Sequence, residues 1–195
     1  MISAATLKDR RIAAKRAEDP GLVEVERLKS RLARARDKRV PLYLSREEFL
    51  AVCRWKLGDQ YSRAAHALES SSEKRVKRTT QMAFTFKDKE ADFELASRLT
   101  ILRLLPGVGI GVASAILALC YPKRYAPLDA RVWRALFDEQ RGGLDLADYL
   151  RYLTRLGELV AEARTLDSKG AWSMQLVAYY CAGNDEGTAA PPAAD

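Results

Sequence analysis

The residues in this sequence best placed to do chemistry are an aspartate at the expected mouth of a helix and two glycines in a turn between helices. Asp129 stands in Tyr125-Ala126-Pro127-Leu128-Asp129-Ala130-Arg131-Val132. The proline and the apolar residue before it would aim its carboxylate out of the turn. A carboxylate held there can stabilise positive charge that develops on a neighbouring group. It can equally serve as a plain helix N-cap. Upstream, Leu105-Pro106-Gly107-Val108-Gly109 joins two strongly helical segments. Two glycines one residue apart permit a turn so tight that backbone amides lie open on its outer side. Those amides adjoin the N-terminus of the next helix, where unpaired N–H groups and the helix dipole favour an anion. A DNA phosphate fits that chemistry without being read for sequence. An ordinary helix-helix turn with a glycine stop would need the same residues.

Other side chains could support either reading. Lys123 and Arg124 lie in the loop leading to Asp129 and are candidates for phosphate contacts, as are Lys74-Arg75 and Lys77-Arg78. Arg131 could pair with Asp129 or with a phosphate. Arg54-Trp55-Lys56 sets an aromatic between two cations within a helix. Trp55 could stack on or wedge beside a base with Lys56 on a phosphate, or Trp55 could be core and the cations solvated. Metal and nucleophile chemistry is poorly supplied. His66 is the single histidine, which excludes a multi-histidine metal site and argues against a Ser-His-Asp arrangement. Cys53, Cys120 and Cys181 lie far apart in apolar contexts and read as reduced core thiols; three cysteines cannot hold a four-cysteine cluster. No metal or cofactor is expected.

The elements that must position these residues read as helices throughout. With 195 residues, 48% of them hydrophobic, the chain can bury a core without disulfide or metal staples. Net charge is +7, and residues 1–40 hold twelve Lys/Arg against six Asp/Glu, so nearly all the excess lies in the first fifth. Such a surplus attracts a polyanion by counterion release or forms a solvated helical arm. The boundaries expected are a basic helical arm over 1–41, a helical body over 42–183 and a disordered tail over 184–195.

Within the arm, Ala4 to Ala17 is helix-prone until Asp19-Pro20-Gly21 breaks it, and Leu22, Val25, Leu28 and Leu32 form a helical stripe that needs a partner surface. Ser45 and Glu48 read as a capping box for a helix carrying Phe49, Val52, Cys53 and Leu57 inward. A break at Ser70–Ser72 precedes a helix with Val76, Met82 and Phe84. Another helix is expected from about Ala91 to Leu104, with Phe93, Leu95, Leu99 and Leu102 on its buried side. Ile110–Leu119 follows and Pro122 ends it. Asp129 can cap a helix through Phe137, Asp145 one through about Ala163, and Ser168 one through Tyr180. No segment alternates as a strand, so the fold class is all-α. No apolar run spans a bilayer and no signal-peptide pattern opens the chain, so a cytoplasmic protein without a membrane partner is expected.

The hairpin and the Pro127-Leu128-Asp129 segment together resemble the helix-hairpin-helix, Gly/Pro-Asp superfamily of DNA glycosylases, the endonuclease III relatives. In that family a Leu-Pro-Gly-Val-Gly hairpin is followed by a Pro-Val-Asp segment, whose aspartate lies eighteen residues after a position that can carry a catalytic lysine. Here those positions are Gly111 and Asp129, also eighteen apart. The resemblance covers about forty residues, from about Glu94 to Leu136. It implies two helical lobes with a cleft between them, and double-stranded DNA as partner. It also implies a damaged or mispaired base flipped into the cleft for cleavage of its N-glycosidic bond. Asp129 would then stabilise the charge developing on the deoxyribose, and Leu105, Pro106, Gly107, Val108, Gly109 and Gly111 would form the phosphate-gripping turn.

Three departures narrow that implication. Gly111 supplies no amine, so base removal coupled to strand cleavage by that route is not expected, which leaves a monofunctional hydrolase. Only about sixty residues separate Pro41 from Leu105, with no segment matching the family's damage-reading stretch. Arg131 stands near where relatives often carry histidine. Two further readings therefore stand beside the glycosylase: a non-catalytic helix-hairpin-helix DNA-binding protein, and a protein whose hairpin only packs helices while its basic arm meets protein partners. If the turn grips phosphate, Gly107→Val or Gly109→Val should weaken DNA binding without unfolding the protein.

Overall fold

The computed structural model describes residues 3–7, 22–38, 40–168, 170 and 172–182. Among them there is no strand; the architecture is all-helical. After a helical turn at residues 4–7 come α1 (Leu22–Asp37), α2 (Arg46–Leu57), a 3-10 turn at Gly58–Gln60, α3 (Tyr61–Glu69), α4 (Glu73–Thr85) and α5 (Ala91–Leu102). α6 (Ile110–Cys120), α7 (Ala130–Phe137), α8 (Leu146–Leu166) and α9 (Met174–Ala182) complete the order. No helix among the described residues is long and apolar enough to cross a membrane. The break at Asp19-Pro20-Gly21 and the tail from Gly183 lie outside the described residues.

α6 is the centre of the larger packing group. Every residue from Val112 to Cys120 is buried, with small Ala113, Ser114 and Ala115 at its start. α2, α1 and α5 pack on it. Each of Ile116 and Leu117, buried to 1% and 0% exposure, contributes roughly 1.5–3 kcal/mol by leaving water. The stripe on α1 finds its surface here: Val25, Leu28 and Leu32 are buried against α2 and α6. Two arginines fix that helix further. Arg36 donates to the Cys120 carbonyl at 2.8 Å, a cation at the negative end of α6. Arg31 forms a two-pronged bond to Glu48 at 2.6 and 2.7 Å.

Helix boundaries follow their caps. Ser45 and Glu48 form the expected capping box at α2. Asp129 caps α7, which ends at Phe137 as its sequence suggests. Asp145 and Asp148 form a second capping box, and α8 runs on to Leu166, beyond the expected end near Ala163. The last helix differs from expectation. Ser168 lies in a turn, and it is the Ser173 hydroxyl that accepts the Leu176 amide at 3.2 Å, so α9 starts at Met174. Trp172 and Tyr180 are buried there.

Some apolar residues face outward instead. Phe93 is 54% exposed, because Leu95, Leu99 and Leu102 share one face of α5 and position 93 falls off it. It leans on Phe86 instead. Met82 is likewise exposed while Val76 and Phe84 turn inward, and Leu57 is only partly buried at the end of α2. α5 stops at Leu102, two residues before Leu104, where the chain turns towards the hairpin.

Candidate functional site

The turn between α5 and α6 closes on a bond from the Val108 amide to the Leu105 carbonyl at 3.1 Å, with both side chains buried beneath it. Gly107 has φ +78°, a conformation that favours glycine. A Cβ there would also meet Leu68 Cγ at 3.0 Å and Ala67 Cβ at 3.2 Å. Gly107 is thus a packing requirement, and Gly107→Val cannot be the conservative probe that the sequence suggested. Gly109 differs. It caps α6 at φ −85°, ψ 178°, with no side-chain bond, and a Cβ would have nothing within 4 Å. The first amides of α6 have no carbonyl one turn back to receive them, and Gly109 just before them is exposed.

Ser114, one turn into α6, joins that helix to the segment leading into α7. Its hydroxyl donates to the Gly111 carbonyl at 2.8 Å and accepts the Leu128 amide at 2.9 Å. From the other side, two fully buried tyrosines of α8 hold the same segment. Tyr149 donates to the Ala126 carbonyl and Tyr152 to the Pro127 carbonyl, both at 2.8 Å. The segment 126–128 is therefore clamped between α6 and α8, and Asp129 emerges from it in a fixed place.

Asp129 has extended backbone at φ −139°, ψ 134° and divides its two oxygens. Oδ1 accepts the Arg131 amide at 2.9 Å, the cap bond, and lies 3.4 Å from Arg131 Nε. Oδ2 accepts Lys56 Nζ at 3.0 Å. Burial alone would raise the Asp129 carboxyl, but the Lys56 ammonium with its hydrogen bond, and then the amide and charge of Arg131, outweigh it and hold the group below its ordinary value. Asp129 is accordingly a carboxylate at neutral pH, a quarter exposed, between two cations.

Lys56 was expected on a phosphate or in solvent. Its side chain is instead 13% exposed and spans from the end of α2 to Asp129, 73 residues along the chain. The stem passes beside Gly111: a Cβ at that position would lie 3.7 Å from Lys56 Cε and 3.9 Å from the Leu128 carbonyl oxygen. A long side chain at 111 and the Lys56 ammonium would compete for one space. Nothing in the local sequence signals this pairing, since Lys56 sits in a helix end like many solvated lysines.

The remaining candidates are scattered. Trp55 is half-buried against the core. Lys123 is exposed. Arg124 is committed to Glu94 at 2.8 Å and lies over the Tyr125 ring. Arg75 donates to the Leu104 carbonyl at 2.6 Å and Lys77 stands over the Tyr43 ring, so both are tied to the fold. Cys53 and Cys120 are pushed up to about 12 by burial, which keeps them unreactive thiols. Beside α7, Ala130, Arg134, Gln140, Arg141 and Gly142 line a shallow polar cleft of about 320 Å³. Arg141 pairs with Asp148 at its edge.

Compared with models of protein families, with curated proteins and with solved structures, the chain finds no match in any of the three.

Proposed function

We propose that this chain is a DNA-binding protein of the base-excision glycosylase type, gripping double-stranded DNA by the Leu105–Gly109 turn and cleaving the N-glycosidic bond of a flipped base at Asp129. One observation carries the reading: Ser114 locks the first turn of α6 to the segment that presents Asp129. An open helix end that can take a phosphate and an ionised carboxylate that can face a deoxyribose are thus held in one rigid unit. The resemblance to the helix-hairpin-helix, Gly/Pro-Asp glycosylases points the same way, including their two-lobed form with the site in the cleft. Physically, a carboxylate kept ionised in a partly buried site is suited to a transition state with positive charge on the sugar.

The second reading is a non-catalytic DNA-binding relative. It is favoured by the two cations already on Asp129, which neutralise the charge that catalysis would use. Base release from lesion-bearing and mismatched duplexes, at protein excess, separates the two. Release by the wild type that disappears in Asp129→Asn establishes the glycosylase and names its substrate. Binding that weakens steeply with salt, without release from any duplex, favours the non-catalytic relative. No binding even at low salt refutes both.

A further inference from the structure

Beside α7 the chain brings two arginines, one from the helix and one from the loop after it, into a single cleft. The cleft holds about 320 Å³ and is lined by Ala130, Arg134, Gln140, Arg141 and Gly142. Two of these side chains carry positive charge, one is an amide, and none is a carboxylate. Arg134 is exposed in the last turn of α7, where the helix dipole favours a cation. That accounts for one arginine and not for a second beside it. Among the described residues the Arg134 guanidinium and the Gln140 amide have no hydrogen-bond or ion-pair partner. Arg141 is anchored instead. Its Nη1 bonds Oδ1 of Asp148, a buried carboxylate whose other oxygen accepts the Asp145 amide in the box that caps α8. The rest of its guanidinium, a planar fork with five donors in all, stays half-exposed. Nearby charges are already committed: Glu139 pairs with Arg151, and Arg131, a turn earlier on α7, lies against Asp129. Asp138, which ends α7, forms no ion pair with Arg134. Two cations drawn to one cleft repel each other, and an anion between them removes that cost.

We propose that this cleft is a phosphate-binding site, with the anion held between Arg134 and Arg141 and Gln140 donating to a further oxygen. Guanidinium forks match phosphate oxygens in pairs, which a lysine ammonium cannot do. Arg141 is pre-set for the task by Asp148, while Arg134 and Gln140 have donors that nothing else uses. Being shallow, the cleft takes the phosphate and leaves its carrier in solvent. A free nucleotide and a nucleic-acid backbone both present that group. The site does not depend on chemistry at Asp129, which lines no part of it.

The test follows the arginine side-chain N–H resonances of the full chain by NMR at fixed ionic strength. Inorganic phosphate, adenosine monophosphate and a short undamaged duplex are titrated in turn. Phosphate should move the Arg134 and Arg141 signals saturably and leave Arg155, paired with Glu158 and Glu162, in place. Arg134→Gln should weaken phosphate binding roughly tenfold or more, with Tm unchanged because that side chain has no partner to lose. Gly142→Glu sets a carboxylate in the lining, at a position where a Cβ meets nothing within 4 Å. It should also abolish binding, whereas Gly142→Gln should bind nearly as wild type does, which separates charge from bulk. Whichever of the nucleotide and the duplex binds the two arginines more tightly names the carrier. Phosphate binding without any duplex binding would leave the cleft assigned and remove the DNA reading. The proposal is overturned if none of the three probes gives a saturable shift, or if Arg155 moves as much as Arg134. Equal affinity in wild type and Arg134→Gln, or in Gly142→Glu and Gly142→Gln, overturns it as well.

Discussion

Replacing Gly109 with valine perturbs one surface of the turn and little else. A Cβ at this position has open space around it, and φ −85° with ψ 178° is ordinary extended backbone for any residue. Valine is a poorer helix N-cap than glycine, which costs about 1 kcal/mol. For a chain of this size that lowers Tm by roughly 2–4 °C. If the first amides of α6 hold a phosphate, the added branches obstruct its approach, and a lost charge-assisted hydrogen bond is worth about 1.5–3 kcal/mol. That corresponds to roughly a 10- to 150-fold rise in Kd. Gly107→Ala is the opposing control. Left-handed backbone costs a residue with Cβ about 1–2 kcal/mol. The contact at 3.0 Å to Leu68 adds to that, so this variant should lose more stability than affinity. The assay is fluorescence anisotropy of a labelled duplex at low salt, beside thermal melts. Gly109→Val that stays folded and binds as tightly as wild type would refute the phosphate role of the turn.

Three further outcomes follow from the clamp around Asp129 and from one buried ion pair. The Asp129 carboxyl is depressed in the folded protein, so its stabilising contribution is complete above the unfolded value of about 3.9 and is lost as pH falls through the lower folded value. Melts of wild type against Asp129→Asn should differ by about 1–2 kcal/mol near pH 7 and converge in acid; a gap that persists at low pH would show that the charge is not the cause. Ser114→Ala leaves the Leu128 amide without its acceptor and should cost about 1–3 kcal/mol. If Asp129 acts in catalysis, kcat should fall more than duplex affinity, as steady-state and binding measurements on the same variant would show. Arg98 is 2% exposed, pairs with Glu94 and donates twice to the Phe86 carbonyl, at 3.1 and 2.8 Å. Arg98→Met strips those partners and should cost about 3–5 kcal/mol by denaturant titration, whereas a loss under about 1 kcal/mol would mean Arg124 can replace it on Glu94.

What could be read from the sequence, and what could not, divides by the distance between cause and effect along the chain. Caps are local: Ser45 with Glu48, Asp129 before Ala130 and Asp145 with Asp148 each act within three residues, and each starts its helix where the residue types suggest. The hairpin is local too, down to the burial of Leu105 and Val108. The last helix, however, takes its cap from Ser173 rather than Ser168, beside the edge-to-face pair of Trp172 and Tyr180. Phe93 read as core because it is large and apolar, yet its angular position on α5 sends it outward.

The site itself depends on contacts that no local pattern carries. Gly111 read as a missing lysine, and the absence of an amine was inferred from one position. α2 packs on α6, and the end of α2 falls beside the start of α6. That crossing carries Lys56 past Gly111 to Asp129. A long side chain at 111 would meet the Lys56 stem, which lies 3.7 Å from the place of a Cβ. The same packing of α2 on α6 therefore sets the ion pair at its edge. Enlarging Ala113 or Ala115, both fully buried in α6, should disturb that packing and lengthen the Lys56–Asp129 contact.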